Sequence, residues 1–503
     1  MSQIALRSPL VLGLVCVVCA AGGLALTSPE MGLGWDEIVY VSQYAPSTPA
    51  AFFSAPRSRG VALLVAPVVM VTDSTVLLRY WLSGAAATAL FLGYLPWLRL
   101  VPRPAVVLGA VGGYATLWIT LFYAGAAMPN HYSAMAGVSA VGWYLWVARG
   151  GHGRLALAGS LAVAGLVRPG DAFWLALPLI VATLAVPAWR RADLFAVIVG
   201  GSFAGVLAWL VEAHLRFGGI LERVHRAGEI QGGTGLTFSL RETASALDGP
   251  LLCRPCTGDS VAAPALVWWC ALPVLVIAGV WAARRARLSA LAWLPCAVGV
   301  SLAVTYVLLI DYSAPRFLLP TYALLALPAV WGLLAVIDVV RGRLGRRRPR
   351  LVLGAALGVA LAGHLAVQVL ITAHWADSHR ETRRDWERIA RTARAAGIRP
   401  PCLLTGTEAI PIAYYAGCAS AAPSGNNATH TRDHLIAETY RVPSALLTKN
   451  GAAPPAWAAT WRRHVVPGTA TDSTWVVHVP EWTPLRAAPG VAGRGIPPES
   501  PTR

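Results

Sequence analysis

The chain is 503 residues long, 56% apolar and only 13% charged, with a mean hydropathy of +0.56 and a net charge of +17. That composition excludes a disordered chain, a collagen, a coiled coil and a small disulfide scaffold, and it argues against a soluble multidomain enzyme. The excess of basic residues raises nucleic acid as a partner, so the placement of the charges has to decide.

A bilayer core about 30 Å thick needs about 20 mostly apolar helical residues to span it. Eleven segments are candidates: 8–27, 75–97, 105–124, 131–148, 154–168, 172–188, 194–215, 264–283, 289–310, 318–339 and 351–373. The first is longer than a signal-peptide core and reads as a permanent helix. The stretch 59–72 is apolar but short, and reads as a re-entrant or interfacial helix.

With the N-terminus inside, the cytoplasmic segments hold Arg7, Arg99, Arg103, Arg149, Arg154, Arg190, Arg191, Arg284, Arg285, Arg287 and the arginine run 341–350, against two acids, Asp193 and Asp338. This is a positive-inside pattern. The charge therefore reports orientation in the plasma (inner) membrane, and no nucleic-acid partner is expected. Forty of the 41 basic residues are arginine, Lys449 being the single lysine, which reads as the codon bias of a GC-rich genome. The expected architecture is mainly α: a polytopic helical bundle over 1–373 with outer loops at 28–74 and 216–263. A small extracytoplasmic α/β domain over 374–503 follows it. In that tail, Trp386, Ile389 and Ala393 share one face of a predicted helix, Cys402–Gly406 reads as a short buried strand, and Ile410–Tyr415 begins a helix. The last fifteen residues, rich in Pro and Gly, are expected to be disordered.

In a membrane protein, ionisable residues at or within the apolar zone mark candidate sites. Asp36 and Glu37 follow the first span directly. Tyr40 shares a helix face with Asp36, whereas Glu37 points about 100° away. These acids serve either chemistry or a helix macrodipole. Arg57 and Arg59 stand on the outer side against the charge rule, as anion ligands or as solvated loop charges. Asn130 and His131 form the turn before the fourth span, where a helix cap is the plainer reading. Only 14 residues separate Arg154 from Arg168, about 21 Å of helix, which sets Arg168 and Asp171 below the membrane surface as a buried pair or as a cavity lining. Arg316 precedes the tenth span beside Phe317, placed to hold a lipid phosphate or to snorkel. Cys253 with Cys256, and Cys402 with Cys418, are candidate disulfides on an oxidising side.

The set Asp36-Glu37-x-x-Tyr40, the proline-containing stretch near 53–67 leading into Leu78-Arg79-Tyr80, Arg168-Pro169, and Arg316-Phe317-x-x-Pro320 resembles the integral-membrane glycosyltransferases of the GT-C superfamily. It looks most like the glycosyltransferase family 39-like branch, which contains protein mannosyltransferases and aminoarabinose transferases. Many relatives carry a second acid in the turn before the fourth span, where this chain has Asn130-His131. The resemblance implies sugar transfer from a polyprenyl-phosphate donor to an extracytoplasmic acceptor, a cell-envelope glycan, lipid or protein, with inversion. It implies Asp36 as general base, with Glu37 counted beside it among the catalytic residues, orienting substrate or Asp36. Arg316 would bind phosphate, and Tyr40, Arg57, Arg59, Asn130, His131, Arg168 and Asp171 would line the substrate cavity. No cofactor beyond the donor is implied, and a divalent metal is left open. The rival reading is a transporter or flippase of a lipid-linked or anionic substrate, which would place its site at the membrane midplane.

Overall fold

A computed structural model describes residues 3–233, 235–254, 261–344 and 347–481. The last fifteen residues and Cys256 lie outside the described residues, and with them the expectations attached to them.

The chain opens with α1 (Gln3–Thr27), then the short α2 (Trp35–Val41), α3 (Gly60–Val69), α4 (Thr75–Tyr94), α5 (Trp97–Leu100), α6 (Pro104–Ala115) and α7 (Trp118–Tyr123). It continues through α8 (Pro129–Ala148), α9 (Arg154–Val167), α10 (Pro169–Ala185), α11 (Ala192–Phe217), α12 (Ile220–Ile230), α13 (Leu240–Ser245), α14 (Ala263–Arg285), α15 (Ala290–Leu308), α16 (Leu319–Arg343) and α17 (Arg347–Ala395). Among the described residues, seven helices are long and apolar enough to cross a membrane: Ser8–Thr27, Thr75–Leu100, Ala192–Phe217, Ala263–Arg285, Ala290–Leu308, Pro315–Arg343 and Arg348–Ala395. Many of their large apolar side chains face outward, among them Leu10, Leu14, Val17, Val267, Val274 and Ile277. Outward apolar faces of that extent suit lipid.

Of the remaining expected spans, α8 is a continuous helix of 20 residues, and the others are helical but shorter or interrupted. The segment expected at 105–124 breaks between α6 and α7, where Leu117 is extended. The freed N–H of Trp118 donates to Gln368 Oε1 of α17 at 2.8 Å, and the Trp118 indole donates to the Leu247 carbonyl at 2.7 Å. Both contacts replace water, as a break at this depth requires. Helix α8 packs on α4, α9 and α16 and is buried on nearly every face. The apolar run after Arg154 breaks at Arg168, as its length suggested, giving α9 of 14 residues and α10 of 17.

The C-terminal unit is α/β. Strands β1 (Leu403–Gly406), β2 (Ala419–Ala421), β3 (Ser444–Lys449), β4 (Arg462–Val465) and β5 (Trp475–Val479) form one sheet in the order β2-β1-β3-β5-β4. Here α18 (Ala409–Ala416) connects β1 to β2, and α19 (Arg432–Thr439) precedes β3. β1 runs parallel to β2 and β3, with Leu403 opposite Ala419 and Ser444, while β5 pairs antiparallel with β3 and β4. Trp386, Ile389 and Ala393 of α17 pack with Leu404, Leu447, Trp475 and Val477 in the core of this unit. The face expected from helical spacing is therefore the buried one. Cys402 and Cys418 form a disulfide between the start of β1 and the end of α18.

Helix α17 contains 49 residues and runs unbroken from the bundle into this core. The boundary drawn at 373/374 thus falls inside a helix. Apolar residues facing the bundle and then Trp386 and Ile389 facing the sheet lie on one continuous helical path, with no Pro or Gly after Gly363 to stop it.

Candidate active site

The polar residues that the sequence singles out converge at the end of the bundle that carries the α/β unit. Helix α2 starts there. Gly34 is its extended N-cap, and Glu37 reaches back to accept the Gly34 N–H at 2.8 Å, the carboxylate half of a capping box whose other half glycine has no side chain to supply. Asp36 occupies that first turn. Its Oδ1 accepts from Arg57 Nη2 at 2.7 Å and its Oδ2 from Arg316 Nη2 at 3.2 Å. Its carboxylate stays one-third exposed, more open than either arginine.

Each arginine is itself held. Arg57 Nε donates to Ser54 Oγ at 3.1 Å, and its guanidinium lies over the Tyr40 ring at 5.4 Å. The loop that carries it is fixed by Arg223, which is wholly buried and donates to the Ala55 and Arg57 carbonyls at 3.0 Å. Ser58 Oγ ties the same loop to the Leu166 carbonyl, next to the break at Arg168. Arg316 sits in the 3-10 turn Pro315–Leu318 that leads into α16; its Nη1 donates to the Leu251 carbonyl at 3.0 Å and to Tyr123 Oη at 3.3 Å. Arg168 lies over the rings of Tyr306 and Phe317 at 5.1 and 5.5 Å, and Arg316 lies over the same Phe317 at 5.5 Å. Three guanidinia thus gather around Tyr40, Tyr306 and Phe317, and the partly exposed Asp36 carboxylate pairs with two of them.

Burial opposes ionisation of Asp36, but the Arg57 and Arg316 charges and the hydrogen bond from Arg57 outweigh it. The carboxyl is held below its ordinary range, and Glu37 pushes weakly the other way. Burial also pushes the Tyr40 hydroxyl upward against the pull of Arg57, so Tyr40 stays a neutral donor at pH 7.

Four expected site residues are engaged by other protein groups, and a fifth, Asn130, is buried without a partner among the described residues. Glu37 is buried and accepts from Arg79 Nη1 at 2.5 Å, Arg79 Nη2 at 2.9 Å and Ala127 N–H at 2.9 Å, with Arg383 Nη2 at 3.5 Å. Against its burial, Arg79 and then Arg383 and the Gly34 N–H lower its pKa to about 2. A carboxylate so fully occupied holds structure and offers no free oxygen to a substrate, contrary to the expected catalytic part. Arg59 is committed to Glu212, at 3.0 Å from Nε and 2.5 Å from Nη2, and to Gln43 at 2.7 Å. His131 is buried between Tyr114 Oη and the Ala86 carbonyl, both at 3.1 Å. Asn130 does not cap α8. It lies inside the first turn, and its buried amide finds no hydrogen-bond partner among the described residues. Asp171 accepts from Ser133 Oγ at 2.7 Å and Tyr306 Oη at 2.5 Å, with Arg168 Nε at 3.4 Å. It orients Arg168 rather than facing the opening.

Arg79 appeared in a motif but was given no role, although a charge inside an apolar span is itself a signal. Glu212 in α11 carried the same signal. Tyr123, Tyr306 and Arg383 carried none, since their positions depend on tertiary packing. Among the described residues, no group of three or more His, Cys, Asp or Glu side chains is placed to hold a metal ion.

No protein-family model matches the chain, and no curated protein matches it by sequence. Solved structures do match. ArnT from Cupriavidus metallidurans bound to undecaprenyl phosphate is similar with a TM-score of 0.63 at 13% identity, covering 92% of this chain and 97% of that one. The apo state of the same protein gives 0.63 at 14% identity with the same coverage. The Archaeoglobus fulgidus oligosaccharyltransferase tethered to an acceptor peptide containing the NVT sequon gives 0.53 at 12% identity, covering 86% of this chain and 68% of that one. The likeness is one of fold and spans both the bundle and the α/β unit: the chain has the GT-C fold, the fold of these membrane glycosyltransferases.

Proposed function

We propose that the protein is a membrane glycosyltransferase. It moves a sugar from a polyprenyl-phosphate donor to an extracytoplasmic acceptor, with Asp36 as general base. The observation that carries this reading is the placement of one partly exposed carboxylate between two guanidinia, Arg57 and Arg316. The similar ArnT structure with undecaprenyl phosphate supports the donor class.

The donor phosphodiester carries one negative charge and departs as a phosphomonoester that gains a second. The bond from the anomeric carbon to phosphate oxygen breaks, and its electron pair stays on the phosphate. The acceptor oxygen attacks the opposite face of the sugar, which inverts the anomeric centre. Charge therefore grows on the phosphate as the reaction proceeds, and Arg316, Arg57 and Arg168 suit its stabilisation. The acceptor hydroxyl proton passes to Asp36. Before donor binds, the carboxylate occupies the arginines. As the phosphate takes those hydrogen bonds, Asp36 loses its cationic partners and becomes more basic where a base is needed.

In our reading the N-terminus is cytoplasmic and the α/β unit faces the extracytoplasmic side of the plasma membrane. The arginine distribution supports this, and so does the Cys402–Cys418 disulfide, which belongs in an oxidising space. The bundle, 1–373, is the catalytic module. A site at one end of the bundle suits transfer better than transport, which works from the midplane. The test is incubation of the purified protein in lipid nanodiscs with a panel of labelled polyprenyl-phosphate sugars and envelope acceptors. Release of polyprenyl phosphate coupled to a new glycosidic bond is expected. Absence of both transfer and polyprenyl-phosphate binding across the panel would overturn the reading.

A further inference from the structure

We propose that Arg383 and Tyr415, both from the C-terminal part of the chain, are positioning residues for Asp36 that act through the backbone of Gly32-Leu33-Gly34; the role rests on the transferase reading above. Tyr415 Oη, from α18, accepts the Leu33 N–H at 2.8 Å and donates to the Leu33 carbonyl at 3.3 Å. Arg383 Nη1, from α17, donates to the Gly32 carbonyl at 2.7 Å, and its Nη2 lies 3.5 Å from Glu37 Oε2. Both side chains press on bare backbone. A Cβ at position 32 would stand 2.7 Å from Tyr415 Oη, and one at position 34 would stand 2.9 Å from Arg383 Nη2. A Cβ at either position would push that side-chain end off its present contact.

Gly34 is the N-cap of α2, and Asp36 stands two residues beyond it. A helix of seven residues does not hold itself, so the direction of Asp36 is set by what grips its entry. Two grips come from the bundle: Arg79, which donates to Glu37 and to the Gly32 carbonyl at 3.0 Å, and the Ala127 N–H on Glu37. The other two are Arg383 and Tyr415. Arg383 is almost wholly buried, and its Nε has no acceptor among the described residues. That arrangement is costly unless the other nitrogens are needed where they are. Asp36, Arg57 and Arg316 all belong to bundle segments, so the α/β unit acts on the site by placement, not by a reacting group.

The experiment uses the full-length chain in nanodiscs with the variants Tyr415→Phe, Arg383→Gln, Arg383→Lys and Lys449→Ala. The last removes a salt bridge to Glu408 elsewhere in the α/β unit. Sugar transfer gives kcat and donor KM, and hydrogen exchange follows the amides of 35–41. A small misplacement of a reacting group costs up to about a hundredfold in rate. Tyr415→Phe and Arg383→Gln are therefore expected to lower kcat about tenfold or more, with donor KM within about twofold of wild type. Arg383→Lys, which keeps one donor for the Gly32 carbonyl, should recover part of the loss. Exchange over 35–41 should quicken in both damaging variants and not in Lys449→Ala. Wild-type kcat in Tyr415→Phe and Arg383→Gln, or an equal loss in Lys449→Ala, would overturn the proposal. If the wild-type protein moves no sugar from any donor, the functional reading fails by itself. Unchanged exchange over 35–41 then overturns the positioning role separately.

Discussion

Replacing Asp36 by Asn separates the two parts assigned to this residue. The variant keeps the size of the side chain but removes its charge, and with it the proton acceptor. Loss of a general base costs about a hundredfold to ten-thousandfold in rate. Donor affinity should move the opposite way. In the free protein the carboxylate takes one hydrogen bond from Arg57 at 2.7 Å and one from Arg316 at 3.2 Å, and a donor phosphate has to displace it. A charged hydrogen bond is worth about 1.5–3 kcal/mol, and the one-third exposure of Asp36 scales the pair down. A net release of about 1–2 kcal/mol remains, which corresponds to about fivefold to thirtyfold tighter binding of polyprenyl phosphate. Isothermal titration or tryptophan quenching in nanodiscs measures the affinity, and labelled-sugar transfer measures the rate. Full transfer activity in Asp36→Asn would refute the base. Weaker polyprenyl-phosphate binding in the variant would refute the competition between carboxylate and phosphate.

The acidic limb of kcat/KM, which reports the free enzyme, should lie below the ordinary carboxylate range, because Arg57 and Arg316 hold the Asp36 carboxyl down. The limb of kcat should lie higher, since the bound phosphate has drawn those arginines away; coincident limbs in a pH–rate profile would count against this exchange of partners. Glu37→Gln leaves the buried Arg79 without its counter-charge and should destabilise the protein by about 3–5 kcal/mol, read as a large drop in thermal midpoint in detergent. In the wild type, the folded Glu37 pKa of about 2 lies below its ordinary 4.5. Its stabilisation is therefore complete above about pH 4.5 and is lost as pH falls toward 2. A thermal midpoint that does not fall through that window would contradict the assignment. Cys402→Ser opens a link across a sequence separation of 16 and should cost the α/β unit about 3 kcal/mol. Reductant applied to the wild type should reproduce the loss, and no change under either treatment would show that the bridge bears little load.

Much of the bundle was legible because its signals are additive along the chain: long apolar runs, arginines on one side, and a run too short to span after Arg154. Asp36, Arg57, Arg168 and Arg316 were legible for a related reason, since each is a charge at an apolar boundary. What stayed hidden was which charges are spent on one another. Arg59 and Arg57 stand two residues apart in one loop, yet one serves Glu212 and the other Asp36. Asp36 and Glu37 are adjacent, yet the 100° turn between them sends one toward an opening and the other into a buried ion pair. Such partnerships join residues distant in sequence, Asp36 with Arg316 or Gly32 with Arg383, and no local periodicity encodes them. The helix expected around Trp386, Ile389 and Ala393 was visible, but its fusion with the preceding span was not, because two amphipathic faces with different partners look like two elements.

At about 1.5 Å per residue, the 49 residues of α17 extend about 74 Å, more than twice the thickness of a hydrocarbon core. A shaft of that kind converts length into angle. One residue inserted between Thr372 and Arg383 would swing everything beyond it by about 100° and advance it by about 1.5 Å, pulling Tyr415 off the Leu33 amide. Only changes near a whole number of turns, seven residues or so, would keep the phase, so this stretch should tolerate substitutions at exposed positions far better than any change in its count.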